Sequence, residues 1–161
     1  MSKTLVGILM GSDSDLEVMK EAGQILDQFL IGYEINIISA HRTPNAAHEY
    51  AVNAERLGLE VIIAGAGGAA HLAGVIASLT PLPVIGVPMY TKGLGGIDSL
   101  LSIAQMPSGV PVATMAIGKA GAKNAGILAA QILDTKCSDT RERIKKKKKE
   151  MAEQVIEKNK R

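Results

Sequence analysis

Residues 60–72 read EVIIAGAGGAAHL. Glu60–Ala64 is a short apolar run rich in Val and Ile. Gly65 to Ala70 holds only glycine and alanine, and His71–Leu79 then takes up a helical pattern. Strand, small-residue loop and helix form the repeating unit of a parallel α/β sheet. The unit recurs outward in both directions. Toward the N-terminus, Thr4–Met10 precedes the helical pattern Ser14–Phe29, and Glu34–Ser39 precedes Thr43–Leu57. Toward the C-terminus, Pro83–Val87 precedes Asp98–Ala104, and Val110–Ile117 precedes Ala122–Leu133. None of the runs alternates strictly, which suits strands buried on both faces.

Helix-start signals support these boundaries. Ser14 and Glu17 have capping-box spacing. Thr43 stands as an N-cap before Pro44, at the first helical position that proline favours. The pattern predicts an α/β fold: a three-layer sandwich with a five-stranded parallel sheet, flavodoxin-like, plus a C-terminal helix over Ser138–Lys158. Residues 1–135 form the α/β catalytic domain in this reading, and residues 136–161 a basic C-terminal helix or tail.

Composition narrows the function. The chain has 161 residues, of which 47% are apolar and 2% aromatic, with no Trp. So few rings disfavour a platform for stacking nucleobases, and no nucleic-acid partner is expected. The single cysteine, Cys137, allows no internal disulfide and no cysteine metal cluster, as in a reducing cytoplasm. No apolar stretch reaches the roughly 18 residues that span a membrane. The net charge of +2 divides unevenly: residues 136–161 carry +6 and the rest −4. The lysine run Lys145 to Lys149 is read as a solvated helix face, with an RNA or membrane contact as the alternative.

In open α/β sheets, ligands bind at the carboxyl ends of the strands. Those ends here collect most of the polar and glycine-rich oddities of the chain. The first loop, Gly11 to Asp15, offers Ser12, Ser14 and Asp15 at a helix start. They could hold a phosphate and a ribose, or simply cap the helix. Asp13 and Asp15 would repel a phosphate unless they face elsewhere. The second loop carries Ser39, Ala40, His41 and Arg42. Arg42 adds positive charge where the helix dipole is already positive, which points to an anionic ligand. His41 is a candidate general acid–base, or a structural histidine. The third loop matches G-x-G-x-x-A only weakly, because it follows the third strand and lacks the later ribose-binding acid. It reads better as a close backbone approach to a small ligand, with His71 beside it. His48 falls inside a helical pattern and reads as a surface residue. Walker A and HExxH patterns are absent, and the three histidines lack chelating spacing. The remaining reading is an acid–base site with no cofactor and no metal.

Taken together, the loops resemble a known family. GSDSD (11–15), SAHRTP (39–44), AGAGGAAHL (64–72), GVP (86–88), IDSLLSIAQMPSGVPVATMAIG (97–118) and KAGAKNAGILAAQIL (119–133) resemble the 5-(carboxyamino)imidazole ribonucleotide mutases of purine biosynthesis. The resemblance covers roughly residues 4–135. It implies that the substrate carboxylate moves from the exocyclic nitrogen to ring carbon 4, through aminoimidazole ribonucleotide and trapped carbon dioxide, without ATP, biotin or metal. It makes His41 the proton shuttle. Ser12, Ser14, Ser39 and Arg42 would hold the phosphate, and Asp15 the ribose hydroxyls. Gly67, Ala70, His71 and Leu72 would line the base and carbon dioxide pocket, and Ala40 would also touch substrate. It further implies a homo-octamer with sites at subunit contacts, so that Tyr90 to Leu94 approach a neighbour's site. That loop, YTKGLGG, is less typical of the family. A related branch that carboxylates aminoimidazole ribonucleotide with free carbon dioxide resembles SAHKTP and AGRSN, where this chain has Arg42 and AGAGGAAHL. Direct carboxylation, a non-catalytic nucleotide-binding module and a receiver domain are the alternatives. The receiver lacks its phosphoacceptor Asp, since Gly65 stands at the end of the third strand.

Overall fold

The computed structural model describes residues 3–134 and 138–158; Cys137 and the junction at residues 135–137 lie outside the described residues. Five parallel strands form one sheet: β1 (Thr4–Met10), β2 (Gly32–Ile37), β3 (Val61–Ala66), β4 (Val84–Pro88) and β5 (Ala113–Thr114). The spatial order is β2-β1-β3-β4-β5, the flavodoxin-like arrangement. Six helices cover the two faces: α1 (Leu16–Gln28), α2 (Pro44–Asn53), α3 (Leu72–Ala77), α4 (Ile97–Ala104), α5 (Lys119–Asp134) and α6 (Ser138–Lys158).

The all-apolar strands are explained by what they bury. Every residue of β3 is buried, and Ile8 of β1 sits between Ile35 of β2 and Ile63 of β3. Successive side chains leave opposite faces of a strand. Val6, Ile8 and Met10 therefore join α1 and α5 in one core cluster, while Leu9 joins α2 and α3 in the other. On α5, Ala122, Ala125, Gly126, Ala129 and Ala130 recur at helical spacing and are all buried. Their small size lets α1 come close: a Cβ on Gly126 would lie 2.8 Å from the Ala22 carbonyl oxygen.

Several expected boundaries shift; β3 runs on to Ala66 past the expected Ala64, and α5 starts at Lys119, three residues before the expected Ala122. The β2 ladder begins at Gly32, two residues before the expected Glu34. The second helix ends at Asn53 instead of reaching Leu57. The apolar run Val110–Ile117 supplies only two residues of strand, Ala113 and Thr114. It pairs with β4 on one side only, and Pro111 has no N–H to donate to a ladder.

Helix α6 docks beside α1 and α5. Ile144 is 7% exposed within the first core cluster. The Arg141 Nε donates to Asp134 Oδ2 at 2.9 Å, and Lys147 donates to Gln28. Within the lysine run, Lys145, Lys146 and Lys149 lie 2.7–3.9 Å from Glu142, Glu150 and Glu153 of the same helix. These are exposed ion pairs on a solvated face.

Candidate functional site

At the carboxyl ends of β1 to β4 a cleft of about 350 Å³ opens. It sits where the strand order reverses between β1 and β3, the switch point at which the connections diverge to opposite faces. Ser12, Ser14, Asp15, Ser39, Ala40, His41, Arg42, Gly67, His71 and Leu72 all line it. Ala70 does not: its methyl is fully buried in the core cluster with α2 and α3. The loop turns at Gly68 (φ 66°), so Gly67 and Ala69 face the cleft while Ala70 drops beneath it.

The first loop folds on itself. Ser12 caps a short 3-10 turn, Asp13–Asp15, by accepting the Ser14 N–H at 3.3 Å. The Ser14–Glu17 capping box does not form, because Ser14 lies inside that turn and Asp15 occupies the cap position of α1 without a side-chain bond. The Asp13 carboxylate accepts from the Ser12 hydroxyl at 3.1 Å and from the Ser14 N–H at 3.0 Å. Asp13 is thus held by its own loop and is absent from the cleft lining. Asp15 does line the cleft. Burial pushes its carboxyl above the usual range, the Ser14 hydroxyl partly offsets this, and the charge on Asp13 adds to it.

The sign of that shift gives a prediction. A carboxyl with a raised folded pKa favours the fold when protonated and loses that contribution as pH rises through the folded value. Ionised Asp15 therefore costs stability near neutral pH. Asp15→Asn is expected to melt a little above wild type at pH 7, with the gap closing below about pH 4, where the carboxyl is protonated in both states. Paired melting curves at the two pH values check this; an equal gap at both would refute it.

The second loop is closed by reciprocal bonds. The Thr43 hydroxyl donates to the Ser39 carbonyl and accepts the Ser39 N–H, both at 3.0 Å. Thr43 holds the N-cap position of α2, with Pro44 just inside, but its side chain is turned back to the loop. The Ser39 Oγ accepts the Arg42 N–H at 3.1 Å, and an Arg42 terminal nitrogen donates to the Gly11 carbonyl at 2.6 Å. Arg42 therefore ties the second loop to the first, and its guanidinium remains at the cleft wall.

His41 and His71 meet over this floor from different strands. His41 Nε2 lies 2.8 Å from His71 Nδ1, with ring centroids 4.9 Å apart and planes at 81°. An N···N hydrogen bond needs one donor and one lone pair. One imidazole is therefore neutral whenever the contact is made, and the pair can hold one extra proton between them. The contact couples the tautomers of the two rings, since the nitrogen that donates on one requires a bare nitrogen on the other.

Gly11, Ala66, Ala69, Met89 and Tyr90 also line the cleft, although sequence reasoning named none of them as site residues. Their only signal was position, at or within three residues of the carboxyl end of a strand. Tyr90 lines the cleft of its own chain and is 70% exposed. Among the described residues no three His, Cys, Asp or Glu side chains group as metal ligands, and no helix is long and apolar enough to cross a membrane.

Comparison with known proteins agrees with this geometry. The family model described as AIR carboxylase matches residues 5–154. N5-carboxyaminoimidazole ribonucleotide mutases are similar over most of the chain. The Pyrococcus horikoshii protein is 64% identical, over 99% of this chain and 89% of its own length. The Bacillus subtilis protein is 57% identical, over 95% and 94%. The crystal structure of Treponema denticola PurE superposes with a TM-score of 0.87 at 30% identity, covering 98% of this chain and 97% of that one. With a match that spans β1 through α6, this chain belongs to the AIR carboxylase family.

Proposed function

We propose that the chain is an N5-carboxyaminoimidazole ribonucleotide mutase, an enzyme of purine biosynthesis. It moves the carboxylate of its substrate from the exocyclic nitrogen to ring carbon 4. The observation that carries the reading is the His41–His71 pair set in a cleft with an arginine and three serines. The curated names of relatives at 57–64% identity support it.

The steps follow from the groups present. The N–C bond of the carbamate breaks, and protonated His41 gives a proton to the nitrogen that keeps the electron pair. Carbon 4 of aminoimidazole ribonucleotide then attacks the retained carbon dioxide. His41, now neutral, removes the proton from carbon 4 and returns to its starting state. One imidazole thus serves in both directions. His71 fixes which nitrogen of His41 carries the proton. Gly67 and Ala69 line the cleft, and their N–H groups have no acceptor among the described residues. They are suited to receive a carboxylate or carbon dioxide oxygen. Ser12, Ser14, Ser39 and Arg42 hold the phosphate, and Asp15 accepts from the ribose hydroxyls.

The homo-octamer belongs to the same proposal. Tyr90, Leu94, Ile97 and Leu101 are each more than half exposed on and before α4, an apolar surface suited to a subunit contact beside the cleft. The enzyme works in the cytoplasm, a reading supported by its single cysteine.

Product analysis tests the proposal. The carboxyamino substrate should be converted with no ATP, biotin or metal, in the presence of a chelator, and at a rate independent of added bicarbonate. A requirement for bicarbonate would move the chain to direct carboxylation. Binding without conversion would leave a nucleotide-binding module.

Arg42→Ala is expected to weaken nucleotide binding by about 1.5–3 kcal/mol through loss of a charge-assisted contact. Isothermal titration on the folded variant reads this directly. Wild-type affinity would make Arg42 a purely structural tie between Gly11 and Ser39.

A further inference from the structure

The third loop is held from below by a helix that contributes nothing to the cleft lining. Ser99 of α4 is fully buried, one of two buried polar side chains among the described residues. Its Oγ accepts the Gly68 N–H at 2.9 Å. One helical turn later, Ser102 Oγ lies 3.2 Å from the Gly68 carbonyl and 2.7 Å from the Asp98 carbonyl. Two hydroxyls of one helix therefore grip both polar groups of one residue, and that residue has the left-handed φ of 66° that turns the loop. Ser39 also has both polar groups bound by a hydroxyl, that of Thr43 within its own loop, whereas Gly68 is held by two serines of a helix outside the cleft. α4 is itself anchored at its start, where the Thr91 hydroxyl donates to Asp98 Oδ1 at 2.8 Å and accepts the Gly96 N–H at 3.2 Å.

The consequence is directional. With the Gly68 N–H drawn inward to Ser99, the flanking N–H groups of Gly67 and Ala69 are the donors left to the cleft. Taking the proposed mutase reaction as its basis, we infer that Ser99 and Ser102 are positioning residues for the carbon dioxide intermediate. They hold the Gly67–Ala69 backbone so that the freed molecule stays within reach of ring carbon 4. Neither touches substrate. Ser99 is the stronger of the two. Its hydroxyl is the sole acceptor of the Gly68 N–H, whereas the single Ser102 proton is shared with the closer Asp98 carbonyl. A loosened loop lets carbon dioxide escape after the N–C bond breaks, leaving aminoimidazole ribonucleotide as a dead-end product.

The test follows the carboxyl carbon. Substrate labelled with ¹⁴C in its carboxylate is converted in excess unlabelled bicarbonate, and the label retained in product is measured. Wild type is run first: if it converts no substrate, the mutase reading has failed and the serines are not at issue. Given a working wild type, Ser99→Ala is expected to release label at least threefold more often per turnover, with KM within about threefold of wild type. Ser102→Ala should shift the same way by less. Ser78→Ala removes a comparable hydroxyl-to-backbone bond, to Val75 at 2.7 Å, outside the cleft lining, and should retain label like wild type. A folded Ser99→Ala that keeps both its label and its turnover would overturn the inference. If Ser99→Ala does not fold, Ser102→Ala decides: increased release supports the positioning role, and wild-type retention refutes it.

Discussion

His41→Asn is expected to bind the ribonucleotide but to turn it over about 10²–10⁴-fold more slowly. Asparagine keeps part of the shape of histidine, and its amide ends one bond short of the Nε2 position that meets His71, so the cleft should hold its form while the link to His71 is lost. It cannot take up and return a proton near neutral pH. The loss falls on both proton transfers, to the departing nitrogen and from ring carbon 4, so the upper part of the range is expected. Affinity should survive, because Ser12, Ser39 and Arg42 keep their bonded arrangement without the imidazole. Turnover and binding must be read on the same folded sample. Turnover within about threefold of wild type would remove His41 as the shuttle and transfer the role to His71.

The second large effect concerns stability. Gly121→Ala is expected to cost more than about 3 kcal/mol, beyond the usual range for one added methyl in a packed core. A Cβ at that position would lie 1.7 Å from the Ala116 carbonyl oxygen and 2.7 Å from its carbon. Those atoms are backbone, in the segment that leads from β5 into α5, and no rotamer change relieves the clash. Gly93→Ala is the matched control, since nothing lies within 4 Å of its built Cβ. With no Trp in the chain, far-UV circular dichroism in urea is the suitable probe. A midpoint for Gly121→Ala equal to that of Gly93→Ala would show that α5 can slide away from Ala116.

Strand and helix order were legible because burial on both faces leaves continuous apolar runs, and Thr4–Met10 matched residue for residue. The run Val110–Ile117 misled for the same reason. Its apolarity belongs to a sheet edge with one neighbour, where Pro111 interrupts the donors. Cleft residues from the loops after β1 and β2 were legible because their side chains are polar and lie at strand ends. Ala70 was not, since a left-handed turn at Gly68 decides which of two neighbouring alanines faces the cleft. Ser99 and Ser102 were hidden within a largely apolar helical pattern, SLLSIA, where a serine carries no sign of what it holds. The meeting of His41 with His71, 30 residues apart, depends on the sheet order and could not be read locally.

That sheet order also bears on synthesis. Strand β1 lies between β2 and β3, so its second edge stays bare until residue 66 has emerged. At about 5–20 residues per second, the stretch from residue 38 to residue 66 takes roughly 1.5–6 s to make. For that interval a nascent chain carries one of its most apolar strands with an open edge, the state most prone to pairing with another chain. A ribosome-bound chain from which residues 1–60 have emerged should therefore engage holding chaperones more strongly than one from which all of β4 has emerged.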